Sequence, residues 1–406
     1  MKNIDIYKRD YACTGCGACS SICPKEAITL TPNAAGFVYP NINLKKCIDC
    51  GLCQKVCDKG QDVLTFPLAC YATCLKDKKE LMSTSSGGIA TALANSILKE
   101  NGIVYGCVQE KIDHEFVICH KRISSLDDIE LLKGSKYVKS DTSLIFKQVR
   151  EDLVCKKNVL FIGTPCQIAG LKRFLCGRIY NNLFTVDIIC HGTPSAQFFN
   201  DFVHYREKKF KNDLLEINFR DKSLDGWGLK VTETIKTPNG IYKRKILNAL
   251  NTYYSLFLDG VIYRESCYSC SYAKKGRVSD MTIGDYWGIE LEHPQFVKNN
   301  PWVSSLGCSC VLVNTLNGMR LFNQISNAVI SENTTYFQIS QHNNQIKFPT
   351  PCTPAHKEFL DLYTTEGYKA VEKWYMKNLG YKRYIYQLWI LLPKPIQDFL
   401  KFLKKG

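Results

Sequence analysis

The strongest constraint on this chain is a repeated run of cysteines near its start. Cys13, Cys16, Cys19 and Cys23 form a C-x2-C-x2-C-x3-C run that returns 34 residues later as Cys47, Cys50, Cys53 and Cys57. Such a run puts three thiolates on one tight loop around an iron–sulfur cubane, and its fourth cysteine ligates the other cluster. The expected sets are Cys13, Cys16, Cys19 and Cys57 for one 4Fe–4S centre, and Cys47, Cys50, Cys53 and Cys23 for a second. Gly15, Gly17 and Gly51 relieve crowding and expose amides to the sulfurs. Zinc prefers paired C-x2-C knuckles set further apart, so two complete runs argue against it. Asp58 stands where this pattern usually has proline; the expected consequence is a change in local potential, with the cluster kept.

The chain has 21 cysteines among 406 residues. In a secreted chain they would read as disulfides behind an apolar leader, which the first residues do not supply. Clustered thiols in a reducing compartment read as metal ligands, so a cytoplasmic location is expected. No stretch of about 18 or more apolar residues predicts a transmembrane helix. The net charge of +15 looks like a nucleic-acid signal. Each oxidised four-thiolate centre carries roughly −2, however, and three would bring the chain to about +9. The lysines are also scattered without a basic run. An acidic redox partner or an anionic cofactor is expected, and no nucleic acid.

Beyond the repeat, short strand-like pieces at 27–30 and 36–39 link the two runs. From about residue 69 the texture becomes α/β. A helix is expected over 89–100, closed by Asn101-Gly102, followed by a strand at 103–108. Strands at 158–162 and 184–189 each lead into a loop and a helix, which argues a mainly parallel sheet with its loops at the strand C-terminal ends. Segments 214–219, 229–235 and 242–247 read as antiparallel, and 305–313 as one more strand. The C-terminus is helical and basic, with apolar patches at 389–392 and 396–403. It reads either as a helix packed on the body or as one that touches a membrane surface or a partner. The expected architecture is α+β / α/β: a dicluster ferredoxin-like domain (1–66), an α/β flavoprotein domain with a small antiparallel insertion (67–340) and a C-terminal helical region (341–406). With 45% hydrophobic residues, a chain of this length has material for two or three cores.

Four further cysteines stand where chemistry is expected. Cys166 and Cys190 each follow a buried strand, at one edge of the sheet, and Cys267 and Cys270 form a lone C-x2-C. Together they suffice for a third 4Fe–4S cluster; from spacing alone they read equally as buried thiols. Ser85-Ser86-Gly87-Gly88 opens a helix, where small residues leave amides free for a pyrophosphate. Gly134-Ser135-Lys136 offers donors to the same anion. A plain helix cap and a surface turn are the structural alternatives. Asp280 and Asp285 either orient a ring or ribose or belong to turns. His191 reads as a pocket or a structural histidine, and Cys308 and Cys310 as strand thiols. No G-x-S-x-G or H-E-x-x-H points to hydrolysis, and no G-x-G-x-x-G to a Rossmann site.

Ser85–Gly88, Lys133-Gly134-Ser135-Lys136-Tyr137, Gly163-Thr164-Pro165-Cys166-Gln167, Cys190-His191-Gly192, Cys267–Cys270 and Asp280–Trp287 occur in this order. The series resembles the beta-subunit family of coenzyme F-420 (deazaflavin) hydrogenases and dehydrogenases, which is itself similar to 7-hydroxymethyl chlorophyll a reductase. The resemblance spans roughly residues 69–330. It implies FAD bound near Ser85–Gly88, Lys133–Tyr137, Thr164 and Asp285, and a cluster on Cys166, Cys190, Cys267 and Cys270. The resulting expectation is an oxidoreductase holding three 4Fe–4S clusters and FAD, exchanging electrons with a redox protein and acting on a small substrate or a deazaflavin-type coenzyme. The alternative is a non-catalytic electron-transfer subunit. Some bacterial relatives are encoded with polysaccharide-modifying enzymes, so the resemblance also admits a sugar-related partner.

Overall fold

The computed structural model describes residues 13–57, 60 and 62–392. Asp58 and the patch at 396–403 lie outside the described residues. The cysteine repeat is a repeat in space. Gly17 and Gly51, at φ 77° and 72°, each start a short helix, Ala18–Ile22 and Leu52–Lys55. This left-handed backbone costs glycine little, and it lets each loop fold back on itself. Strands β1 (Ile28–Pro32) and β2 (Val38–Ile42) pair antiparallel between the two loops.

The body is built on eight strands: β3 (Ala69–Leu75), β4 (Ile103–Ile112), β5 (Glu115–Ile123), β6 (Val159–Gly163), β7 (Leu183–Ile188), and, after the insertion, three that complete the sheet. The insertion is a separate antiparallel sheet of β8 (Asp213–Asn218), β9 (Val231–Thr237) and β10 (Gly240–Ile246). The last three strands of the body are β11 (Met281–Asp285), β12 (Ser309–Val313) and β13 (Val329–Thr334), giving the order β13-β3-β12-β11-β7-β6-β4-β5.

The sheet is mixed, not mainly parallel as expected. Neighbours β11, β7, β6 and β4 are parallel, while β5 on one flank and β12, β3 and β13 on the other pair antiparallel. The β4–β5 hairpin turns on Asp113 and His114, both at positive φ (47° and 70°). Two such residues match the right-handed twist of a hairpin, but Asp-His lacks the Asn-Gly or Asp-Gly spelling that announces it. The strand expected at 305–313 begins only at Ser309, because Trp302–Leu306 is helical and Gly307 turns at φ 93°.

Alternation along the parallel strands covers both faces. Val104, Leu160 and Phe184 point into one core with the helix Ile89–Lys99. Ile103, Tyr105, Val159, Phe161 and Leu183 point into another with the helices Ile145–Val154 and Pro165–Phe174. Ala18 and Val56 join that second core, so the cysteine repeat docks on one defined face. The helix Ile89–Lys99 ends in the expected cap: Gly102 N donates to Ile97 O (2.9 Å), Asn101 N to Leu98 O (3.0 Å), and Asn101 sits at φ 56°. The C-terminal helices Pro354–Glu366 and Tyr368–Leu379 bury Phe359, Tyr363 and Val371 in a third core with Phe198 and Tyr253. Among the described residues no helix is long and apolar enough to cross a membrane.

Candidate cluster and cofactor sites

The repeat brings its cysteines together in the crossed arrangement. Burial pushes the Cys19 thiol up, and Cys16, Cys13 and Cys57 push it further. Burial also raises Cys53, with Cys50 and Cys23 adding to it. Cys23, Cys47, Cys50 and Cys53 line one small pocket. Amides reach the sulfurs: Ala27 N donates to Cys23 Sγ (3.3 Å) and Asp49 N to Cys47 Sγ (3.4 Å). Such donors favour thiolate over thiol. The two sets differ in setting: Cys16 and Cys19 of the first pack against the core and no cysteine of the second does, while one cysteine of each, Cys57 and Cys50, is exposed.

The other four cysteines also meet. Strands β6 and β7 are parallel, so the turns beyond them lie at one edge of the sheet. Cys166 sits in the first turn of the helix Pro165–Phe174, which is capped by a Thr164–Gln167 box, and Cys190 lies just past β7. Cys267 and Cys270 come from the short helix Glu265–Tyr268 and the turn after it. All four line one pocket, together with Thr14 from the N-terminal loop. Burial, then Cys267, Cys166 and Cys270, drive the Cys190 thiol well up, and burial pushes Cys267 up to about 11. Thr164 Oγ1 lies 3.2 Å from Cys166 Sγ. Among the described residues no three His, Cys, Asp or Glu side chains converge on a single-ion site. A cubane, which spreads its thiolates over four iron corners, does not require that convergence. Four partly buried thiols that repel one another as anions fit such a centre, because its iron supplies the compensating charge.

Beside this pocket opens a cavity of about 300 Å³. Ser85, Ser86, Gly88, Lys133, Gly134, Ser135, Lys136, Tyr137, Thr164 and Asp285 all line it. Gly87 does not. Its amide donates to Ser309 Oγ (2.9 Å), and a Cβ there would collide with the Thr73 carbonyl and sit 2.5 Å from Ser309 N. Gly87 is therefore small to let strands β3 and β12 approach. Gly134, at φ 82°, has nothing within 4 Å of a would-be Cβ and borders open space.

The two lysines are less available to an anion than the sequence suggests. Lys133 Nζ is held by Glu130 (2.6 Å) and Glu80 (3.3 Å). Lys136 Nζ donates to the carbonyls of Leu131, Leu132 and Lys133, at 3.2, 3.0 and 2.6 Å, and burial pulls its pKa down to about 8. Asp280 has a structural task, accepting from Thr185 N and Oγ1 and from Thr315 Oγ1. Asp285 does face the cavity, where Arg220 clamps it through two hydrogen bonds of 2.6 and 2.9 Å.

Several groups at the cavity were not singled out from the sequence. Arg220 directly follows the segment 214–219; it is 4% exposed and also donates to Tyr137 Oη (3.3 Å). Lys222 Nζ holds the helix-opening loop through Ser86 O (2.6 Å) and Leu81 O (2.8 Å), and burial pulls its pKa down to about 7. His120 lines the cavity with both nitrogens engaged, near Ile162 O and Ser140 Oγ, and burial pulls it down to about 4, so it is neutral at pH 7. Most telling is the boundary: Cys190, His191, Gly192 and Thr193 line both the four-cysteine pocket and the large cavity.

Comparison with known proteins places these features. Residues 12–61 match the 4Fe-4S dicluster domain, and residues 156–336 match the C terminus of the coenzyme F420 hydrogenase/dehydrogenase beta subunit. Residues 156–336 are similar to that beta-subunit family. The chain thus joins an iron–sulfur electron-transfer module to a domain of an oxidoreductase family. Among solved structures, a chain of the F420-reducing [NiFe] hydrogenase complex from Methanosarcina barkeri aligns at 15% identity and a TM-score of 0.38, covering 78% of this chain and 92% of that one. No curated protein matches the sequence.

Proposed function

We propose that this protein is an iron–sulfur flavoprotein in which three 4Fe–4S centres pass single electrons to or from FAD in the large cavity. The observation that carries the reading is the shared wall Cys190–Thr193, which sets the four-cysteine pocket directly against the cavity. The ligand sets are those anticipated: Cys13, Cys16, Cys19 and Cys57; Cys23, Cys47, Cys50 and Cys53; and Cys166, Cys190, Cys267 and Cys270. The second set, which has no cysteine packed against the core, is the port, the first set is the step inward, and the four-cysteine pocket is the last station before the cavity. Residues 1–66 are the relay module and 67–340 the flavin-bearing body. A bound flavin supplies chemistry that joins two-electron hydride transfer to one-electron steps.

The chain's own residues bind and orient. Ser85, Ser86 and Gly88 present the start of the helix Ile89–Lys99 to the phosphates. Gly134 leaves its part of the wall open, and the Arg220–Asp285 pair fixes polar groups on the cavity lining. Lys136 shapes the wall through its three carbonyls. This side-chain set positions a cofactor and needs no acid or base of its own for a hydride step. The substrate class is a small molecule or a deazaflavin-type coenzyme, and the electron partner is a redox protein.

Anaerobic reconstitution tests the reading. The expected yield is about 12 iron atoms per chain, from three cubanes, with one FAD. About eight irons without flavin would reduce the protein to a two-cluster carrier. A stable stoichiometric partner on purification would favour an electron-transfer subunit over a self-contained enzyme.

A further inference from the structure

The seam between the cysteine repeat and the sheet holds two buried cations that no carboxylate among the described residues neutralises. Lys139 is 9% exposed, and its Nζ lies 3.6 Å from Cys166 Sγ. Arg264 is 2% exposed; its Nε donates to the Cys13 carbonyl at 2.6 Å. The guanidinium lies 4.2 Å from the Tyr39 ring centre, and its Nη2 is buried without a hydrogen-bond partner among the described residues. Two neighbouring buried cations are paired: Arg173 with Asp62 (2.9 Å) and Arg277 with Asp187 (3.0 Å). A buried charge is costly unless something of opposite sign faces it. For Lys139 and Arg264, the groups of opposite sign at the seam are thiolates. Cys166 and Cys16 both lie within electrostatic reach of the Lys139 ammonium. One of those thiols belongs to each proposed centre.

We propose that Lys139 and Arg264 are positioning residues for electron transfer, two fixed positive charges between the Cys13/Cys16/Cys19/Cys57 centre and the Cys166/Cys190/Cys267/Cys270 centre that raise the reduction potentials of both. The proposal rests on the relay reading above. Each transfer oxidises one centre by one electron and reduces the other by one, with no bond made or broken and no proton moved. A cation between the two stabilises the extra negative charge on either side, so the electron stays within its field throughout the step. The Cys23/Cys47/Cys50/Cys53 centre, near the surface, lies outside that arrangement.

Redox titration of the full-length reconstituted protein, followed by EPR, tests this. Lys139→Met should shift the reduction equilibrium of the two inner centres at least tenfold toward the oxidised form, which is 59 mV for a one-electron couple. The outer centre should keep its potential and serve as the internal control. Arg264→Met should shift chiefly the Cys13/Cys16/Cys19/Cys57 centre, and Lys139→Arg should recover most of the lost shift. Unchanged inner potentials in both Met variants at full iron content would overturn the proposal. So would loss of iron from both, since removing a tuning charge leaves every ligand in place. Wild-type protein with only about eight irons would instead sink the relay reading itself.

Discussion

The outer and inner cysteine sets gather their ligands in different ways. Cys47, Cys50 and Cys53 lie on one loop of seven residues, and only Cys23 must come from elsewhere. Cys166, Cys190, Cys267 and Cys270 span more than a hundred residues and meet because β6 and β7 are parallel neighbours and Arg264–Cys270 folds back across their ends. A loop can hold most of a cluster by local geometry; the inner set exists only when the sheet is formed. The inner set is also partly buried and borders the cavity through Cys190, while Cys50 is open to solvent. Loss of a ligand should therefore stay local in the outer set and spread in the inner one.

The largest effect expected follows directly. Cys190→Ser should lower iron from about 12 to about eight per chain. It should also strip most of the FAD, because Cys190 is part of the cavity wall. Cys50→Ser should cost the same iron but keep FAD at wild-type occupancy, losing only rapid reduction by a protein donor. The FAD-to-iron ratio of the two variants is the measurement, and equal ratios would erase the contrast.

Next in size is the cavity's ion pair. Arg220→Met leaves the Asp285 carboxylate half-buried and without its clamp, a change that costs about 3–5 kcal/mol when a buried pair is broken on one side. The midpoint of denaturant unfolding should fall accordingly and FAD should be retained poorly. A midpoint within about 0.5 kcal/mol of wild type would show that water takes over the Arg220 contacts.

Much of this was legible in the sequence. The cluster loops were, because cubane ligation fixes residue type and spacing within a dozen positions, and the antiparallel insertion was, because alternation is a local signal. The mixed sheet was not. Its antiparallel flanks depend on an Asp113-His114 turn with unusual residues and on β12 and β13 returning from far along the chain. The loops lining the cavity were found, but the duties of their residues were not. Gly87 looks like a phosphate loop and serves strand packing, and Lys136 looks like an anion donor and ties up three carbonyls. Arg220 was missed because nothing local marks a charge that will be buried by distant segments.

Two glycines sharpen the same point at a smaller scale. Gly87→Ala forces a Cβ against the backbone of β3 and β12 and should cost about 1–3 kcal/mol of stability. What FAD the folded fraction carries should remain in normal proportion to its iron. Gly134→Ala meets no atom and should cost only about 1 kcal/mol, for its positive φ, while lowering FAD affinity. Thermal unfolding and FAD titration of each variant separate the two. If Gly87→Ala lost FAD at undiminished stability, the phosphate-loop reading of that glycine would return.

The smallest effect belongs to the surface around the outer set. Lys25, Lys45, Lys46 and Lys55 are exposed there and outnumber the exposed Asp49, beside exposed Leu44 and Ile48, while Glu26 is engaged by Lys147 at 2.9 Å. That mixture of apolar centre and positive rim suits transient docking of an acidic one-electron carrier, where rim charges act on the encounter rate more than on the final complex. Lys45→Glu with Lys46→Glu should slow reduction by an acidic ferredoxin about tenfold at ~0.02 M salt. The difference should shrink below about twofold at ~0.5 M, where screening shortens the reach of each charge to a few ångströms. Iron, FAD and the potential of the inner centre should not change, since neither lysine approaches the inner set. Stopped-flow rates at the two salt concentrations decide the matter. Equal rates at low salt would mean that electrons enter somewhere other than the exposed cluster, and the ordering of the relay from outside to inside would have to be redrawn.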